Sequence, residues 1–438
     1  MREMKDSGIE WIGKIPKNWS ILKLKYVLKF SGSGTTPSSN KLEFYDGDIE
    51  WIQSGDLYHT NTIVNTKVKL KSLALKYFPA LKFYKAPFIV IAMYGASVGN
   101  VSISGINACT NQACCVLYPN NENNLKFLYY WIVIAKNELL KKSIGGGQPN
   151  INQITIKNLN FINLPYKNQQ AIADFLDAKC ADIDSLTGDI QKQIDILKEY
   201  KKSIITQAVT KGIDPNVEMK DSGVAWIGKI PMTWHIVRLK YLTTDIFDID
   251  HYMPKDSNEE DSIPYLMIGD LRENLSSVKF SKCKKISKRD YLSLSKKNKS
   301  QIGDVVFARY ATIGTVCYID LNKNFLVSYA CLTIKPKKHI LGKYLYYYLK
   351  SNDFYNEAMG IINANTQGNI GKESLRNVGI VLPNLQLQEK IINFLDSKCA
   401  DIDAAIASKQ KQLDVLKEYK KSLIYEYVTG KKEVPCRE

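Results

Sequence analysis

The sequence predicts an α+β chain: two globular domains with twisted β-sheets, separated by two long antiparallel α-helices in a pseudo-two-fold arrangement. Three observations predict it. The chain is written twice, each copy ends in heptad-spaced apolar residues, and between these frames lie short β-rich runs broken by turn residues.

The repeat comes first. Met4-Lys5-Asp6-Ser7-Gly8 recurs as Met219-Lys220-Asp221-Ser222-Gly223. Trp11-Ile12-Gly13-Lys14-Ile15-Pro16 recurs as Trp226-Ile227-Gly228-Lys229-Ile230-Pro231, and Trp19 and Leu24-Lys25-Tyr26 are answered by Trp234 and Leu239-Lys240-Tyr241. A later block repeats too: Lys179-Cys180-Ala181-Asp182-Ile183-Asp184 returns as Lys398-Cys399-Ala400-Asp401-Ile402-Asp403, and Leu197-Lys198-Glu199-Tyr200-Lys201-Lys202-Ser203 as Leu416-Lys417-Glu418-Tyr419-Lys420-Lys421-Ser422. Between the blocks the halves agree only at points such as Gly55-Asp56-Leu57 with Gly269-Asp270-Leu271. A drifted tandem duplication would not keep the frame near-identical while the inserts diverge. The pattern instead suggests a fixed frame carrying two differently tuned inserts. The four repeated tryptophans sit in the frame, which favours packing anchors over base-stacking platforms.

The boundaries follow: 1–165 for the first domain, 166–212 for the first helical spacer, 213–384 for the second domain, 385–431 for the second spacer, and a tail at 432–438. After Pro165 a helical pattern runs to about Lys211. Leu176, Ile183, Ile190, Leu197 and Ile204 fall seven apart, as heptad a positions, with Leu186 and Tyr200 at d and Gln193 and Gln207 interrupting. In the second copy Leu395, Ile402, Leu416 and Leu423 hold the a positions, with Lys409 in place of an apolar residue. If the first motif near Trp11 sits beside the end of the second helix, the two helices lie antiparallel. A helix from Ala181 to Val209 spans roughly 40–45 Å, comparable to the ~34–36 Å turn of B-DNA. Ile194, Ile205 and Leu413 fall on the outer faces, either docking another protein or packing in a core.

Each insert reads as α+β. The first, about 30–160, has β-rich runs at Ile49–Ile52, Phe88–Met93 and Ala113–Leu117 and an amphipathic helix at Leu125–Leu140. The second has runs at Pro264–Ile268, Asp304–Arg309 and Ala330–Ile334 and a helix near Lys343–Lys350. Turns beside the strands are the candidate readers. Tyr94-Gly95-Ala96-Ser97 and Arg309-Tyr310-Ala311-Thr312 place side chains that bond base edges beside small residues that allow close approach. Gln148 and Asn150, and Gln367 and Asn369, carry amides suited to adenine. All are also ordinary turn formers, so both readings stand. The basic run containing Lys284, Lys285 and Lys288 faces phosphate or merely solvent.

Composition agrees with a polyanion partner. The 438 residues hold 60 Lys+Arg against 44 Asp+Glu, a net charge of +16, and nucleic acid is the commonest polyanion. An acidic membrane surface competes, but the lysines are spread along the chain and no apolar run is long enough to cross a bilayer. The polar start and nine scattered cysteines without a CxxC pair lead to the expectation of a reducing cytoplasm, with no disulfide framework and no metal. No Asn/Asp-Pro-Pro-Tyr/Phe motif, HExxH or nucleophile elbow occurs. Gly368-Asn369-Ile370-Gly371-Lys372 is too short for a P-loop and no Ser/Thr follows its lysine. The reading is a binding protein, not an enzyme.

The frame motifs resemble the type I restriction-modification specificity subunit over nearly the whole chain. The marks are the Met-Lys-Asp-Ser-Gly…Trp-Ile-Gly…Ile-Pro…Trp runs at 4–19 and 219–234, Gly303-Asp304-Val305-Val306…Ile313-Gly314, and Leu164-Pro165 and Leu382-Pro383 before a Gln-led helix. The resemblance implies two target-recognition domains, each reading one half of a bipartite asymmetric site in double-stranded DNA, with helices that set the unread spacer. It implies two methyltransferase subunits docked on the frame with S-adenosylmethionine, and restriction subunits, joined through them, using ATP and magnesium; the cofactors belong to those partners. The competing function is a helical scaffold that touches DNA only through charge and has no sequence preference.

Overall fold

The computed structural model describes residues 2–58, 61–143, 149–296, 299–310, 313–360 and 368–435. The chain forms two compact units, Met1–Asp189 with Gln412–Glu438, and Ile190–Lys411. Each long helix therefore contributes one part to each unit.

In the first unit the Met4–Asp6 and Lys14–Pro16 strands form a hairpin, with Met4 opposite Pro16. The unit's main sheet has five strands in the order Leu28–Ser33, Cys114–Pro119, Phe88–Ala92, Val101–Ser104, Thr62–Ile63. Phe88–Ala92 is central and buried on both faces, which is why it reads as an unbroken apolar run. One face packs on the Leu125–Lys141 helix, whose Phe127, Leu128, Trp131 and Ile132 are buried. The other covers a second core around Ile52, Phe88, Val90 and Val116. A three-stranded sheet, Cys109–Thr110, Tyr45–Ile52, Lys69–Leu70, extends that side.

The second unit repeats the plan with shorter parts. Its hairpin pairs Met219 with Pro231. Its main sheet runs Thr243–Phe247, Cys331–Pro336, Val305–Ala308, Val316–Tyr318, and a three-stranded sheet runs Lys284–Ile286, Ile263–Leu266, Leu326–Val327. The Gly342–Leu349 helix buries six consecutive large residues from Tyr344 to Leu349. The strand runs and both insert helices expected from sequence are present within a few residues of their expected limits.

The long helices are Tyr166–Lys211 and Leu385–Val428. Each starts near a buried glutamine that ties it to the insert of its unit. Gln169 donates to the Leu164 carbonyl (2.8 Å) and Asn123 Oδ1 (3.1 Å) and accepts from Asn124 N (2.8 Å). Gln388 donates to the Pro383 (2.9 Å) and His339 (3.0 Å) carbonyls and accepts from Leu341 N (2.8 Å). Asp177 and Asp396 add matching contacts, the first to Lys126 and Tyr130, the second to Lys343 and Tyr347.

The helical segments are antiparallel within each unit. In the first, Asp184 meets Lys420 at 2.6 Å while Phe175 packs on Tyr427 with ring centroids 4.4 Å apart. In the second, Gln193 accepts from Lys409 and Lys201 meets Asp403 at 2.7 Å. The first motif does sit beside the end of the second helix: Tyr425 donates to the Trp11 and Ile12 carbonyls at 3.0 Å, and Gly430, at φ +72°, leaves room for Pro16 and Trp19. Gly212, at φ +84°, lies against Trp234 in the second unit.

The helical stripe needs correcting. The residues expected at d, Leu186 and Tyr200, are 49% and 55% exposed. The seam instead takes the residue four after each a position: Cys180 and Ile194 are buried and Thr187 and Lys201 half-buried. Positions three and four residues on flank the same edge of a helix, and apolar character alone picked the wrong one. Ile194, Ile205 and Leu413, expected on outer faces, are all buried. The tryptophans divide as well. Trp19 and Trp234 are buried and Trp11 packs on Trp131 at 5.4 Å, whereas Trp226 is half exposed.

Candidate nucleic-acid interface

In each unit the central strand of the main sheet ends in a turn held from two sides. In the first, Met93 N donates to the Ala113 carbonyl (2.7 Å) and Ile151 N donates to the Met93 carbonyl (2.9 Å). In the second, Arg309 N donates to the Ala330 carbonyl (3.1 Å) and Ile370 N to the Arg309 carbonyl (3.2 Å). Three chain segments thus converge, and they bring Tyr94, Ser97 and Asn150 together in one reader and Arg309, Tyr310 and Asn369 in the other. Gln148, Thr312 and Gln367 lie outside the described residues.

These bonds also fix how the turns correspond. The backbone pairs Met93 with Arg309 and Tyr94 with Tyr310. The turn closes at Gly99 N to the Ala92 carbonyl in one unit and at Gly314 N to the Ala308 carbonyl in the other, so the first turn is one residue longer. Gly95, at φ +79°, is in the left-handed region that glycine enters without strain. No arginine contact carries over to the first reader, because a thioether stands in its place.

The first turn is moderately polar. Tyr94 is half-buried and its hydroxyl donates to the Gln112 carbonyl at 2.7 Å; burial raises the phenol's pKa. Asn150 is exposed and bridges to Tyr94 through the backbone. Ser97 is buried at 5%, and its carbonyl accepts from Asn100 N. Sequence reasoning missed Lys136, whose Nζ donates to Asn100 Oδ1 at 2.6 Å beside this turn and whose pKa burial lowers. A lysine within a reader helix carries no signal of its own.

The second turn is charged and aromatic. Arg309 is 8% exposed, pairs with Asp248 Oδ2 at 2.7 Å, and lies 5.0 Å from the Tyr310 ring centroid. His251 Nε2 is 3.3 Å from its Nη2, and the His251 ring stacks on Tyr329. Asp248, His251 and Tyr329 were also missed: the first two share the loop after Thr243–Phe247, the third precedes Cys331–Pro336, and strand pairing brings both to Arg309.

Lys284 and Lys285 lie on the smaller sheet and Lys288 begins the Lys288–Leu294 helix that follows it, and none has a hydrogen bond or ion pair to the turn among the described residues. Lys284 is 3.9 Å from Asp256 and Lys288 3.3 Å from Asp261, while Lys285 is exposed. Among the described residues no group of three His, Cys, Asp or Glu is placed to hold a metal, and no helix is long and apolar enough to cross a membrane.

Comparison with known proteins places this arrangement. The family model for the type I restriction modification DNA specificity domain matches residues 16–195 and again 231–418. The chain is 24% identical to the type I restriction enzyme MjaVIII specificity subunit of Methanocaldococcus jannaschii over 427 residues, covering 95% of this chain and 94% of that one. It is 23% identical to the Escherichia coli K12 EcoKI specificity subunit, covering 89% and 84%. A solved chain of a type I R-M system shares the fold, with a TM-score of 0.70 at 17% identity over 94% of this chain and 98% of that one. With its duplicated specificity domain and its two Gln-led helices, the chain belongs to the type I restriction-modification specificity-subunit family.

Proposed function

We propose that this chain is the non-catalytic DNA reader of a type I restriction-modification complex, each domain selecting one half of a bipartite, asymmetric site. One observation carries the reading. At the same backbone position, under the same pair of hydrogen bonds, one domain presents Met93 and the other Arg309. Frames that match and turns that differ are what two sequence preferences in one protein require. The net charge of +16 supplies the sequence-independent part of the affinity.

The helices would dock the methyltransferase subunits. Gln191–Ser203 and Gln410–Ser422 differ only by Ile/Leu and Ile/Val exchanges. Packing explains Ile194, Leu197 and Lys201 and their counterparts, but not Ile196 and Tyr200 (67% and 55% exposed) or Val415 and Tyr419 (60% and 54%). Two equal exposed surfaces in one chain suit two copies of one partner. S-adenosylmethionine would come with those subunits, and ATP and magnesium with restriction subunits joined through them.

Replacing residues 30–160 by another family member's insert and mapping methylated adenines in cells tests the reading. The expected result is a change in one half-site only. A change in both halves, or the absence of any sequence motif with the unaltered chain, would overturn it; the latter leaves a scaffold that holds DNA by charge.

A further inference from the structure

The loop joining the Thr243–Phe247 and Ile263–Leu266 strands exposes a histidine whose setting the frame does not explain. The His251 ring stacks on Tyr329, with centroids 4.8 Å apart and planes 29° apart. Its Nε2 faces Arg309 Nη2 at 3.3 Å. The same guanidinium nitrogen is gripped by Asp248 at 2.7 Å, and the Tyr310 ring lies 5.0 Å away. A guanidinium only donates, so a hydrogen bond here makes Nε2 the acceptor and leaves the ring proton on Nδ1. The imidazole is then neutral and of fixed tautomer. It offers one donor on an exposed ring, and among the described residues that donor meets no acceptor.

A neutral single donor bonds phosphate no better than the many side chains that do so without reading sequence. It does match the acceptors that bases display in the major groove: N7 of purines, O6 of guanine and O4 of thymine. Arg309, nearly sealed from solvent, would act through the ring it holds. The first reader has Met93 in place of that guanidinium.

We infer that His251 is the residue with which the second reader selects one base pair of its half-site, and that Arg309, Asp248 and Tyr329 are its positioning residues. The inference rests on the DNA-reading role proposed above and adds a residue and a contact chemistry to it.

The test uses the full chain with its modification partners in cells, reading the methylated-adenine motif for the wild type, H251F and H251Q. Phenylalanine keeps the stacked ring and removes the donor; glutamine keeps a donor and removes the ring. With H251F, discrimination at one position of one half-site is expected to fall about tenfold, with the other half unchanged. H251Q is expected to retain part of that discrimination. An unchanged motif with H251F would overturn the inference. So would an even loss of methylation at every site with an unaltered melting temperature, which would mark a packing or phosphate role. Should H251F melt early, H251Q decides alone: a motif relaxed at one position supports the inference and an unaltered motif overturns it. A wild-type map without any motif would defeat the reading role itself and is distinguishable from all of these.

Discussion

The two units solve one problem, holding a reader against a helical pair, with different chemistry. In the second, Lys201 reaches both Asp403 on the facing helix and Glu273 in the reader, and Glu273 also takes Lys350 at 2.5 Å. In the first, Lys420 reaches Asp184 in the same manner, but Asn61 occupies the reader's side, donating to Asp184 and accepting from Tyr129. The helix-to-helix ion pair is repeated to the atom type, while the group that the insert adds to it is a carboxylate, Glu273, in one unit and an amide, Asn61, in the other. The frame tolerates either, and that tolerance is what lets dissimilar readers sit on one scaffold.

The largest expected asymmetry is steric. A Cβ at Gly430 would stand 2.6 Å from Pro16 and Trp19, whereas at Gly212 it would meet Trp234 at 3.4 Å. Both glycines have positive φ. Gly430→Ala should cost about 3 kcal/mol and Gly212→Ala about 1–2 kcal/mol, from left-handed strain of about 1–2 kcal/mol with overpacking added only in the first. Denaturant unfolding measures both, and equal costs would break the comparison. Next, R309M imports the first reader's residue into the second and strands Asp248, whose side chain is 25% exposed. A fully buried pair loses about 3–5 kcal/mol when one partner goes, so about 2 kcal/mol is expected after allowing for solvent. Gln169→Leu and Gln388→Leu should each cost about 1–3 kcal/mol by leaving a backbone N–H unpaired; here the units should behave alike, and thermal melting of the two variants checks it.

The smallest effect is electrostatic. Burial works to raise the Glu273 pKa, but the Lys350 and Lys201 ammonium groups outweigh it and leave the carboxyl below its usual value. A depressed carboxylate stabilises the fold above its unfolded pKa, about 4.3, and that contribution is lost as pH falls through the lower folded value. E273Q should therefore cost at most about 1 kcal/mol at neutral pH, given that Glu273 is half exposed, and almost nothing in strong acid. Stability curves against pH for the wild type and E273Q should converge on acidification.

Much of this architecture was legible in sequence because the chain contains its own comparison. Near-identical repeated blocks gave the frame, and a Pro165 start with a seven-residue period gave a helix that does run from Tyr166 to Lys211. Period alone could not say whether Leu186 or Thr187 joined the seam, since both flank the same edge. The central strands were readable because burial on both faces leaves an uninterrupted apolar run. The candidate interface was less so. Tyr94, Arg309 and Tyr310 stood out as candidates because they adjoin such strands and Asn150 for its amide, whereas Ser97 is buried. Asp248 and Tyr329 stand far from Arg309 along the chain, and only strand pairing joins them.

The first unit is closed by residues 412–438, which follow the whole of the second unit in the chain. A ribosome must therefore make roughly 220 further residues after Asp189 before the covering segment emerges, about 10–45 s at ordinary elongation speeds. During that interval the groove that will take Leu423, Tyr427 and Val428 stays open. A nascent chain halted anywhere before Gln412 exposes this apolar seam, so interrupted synthesis leaves a surface open to aggregation.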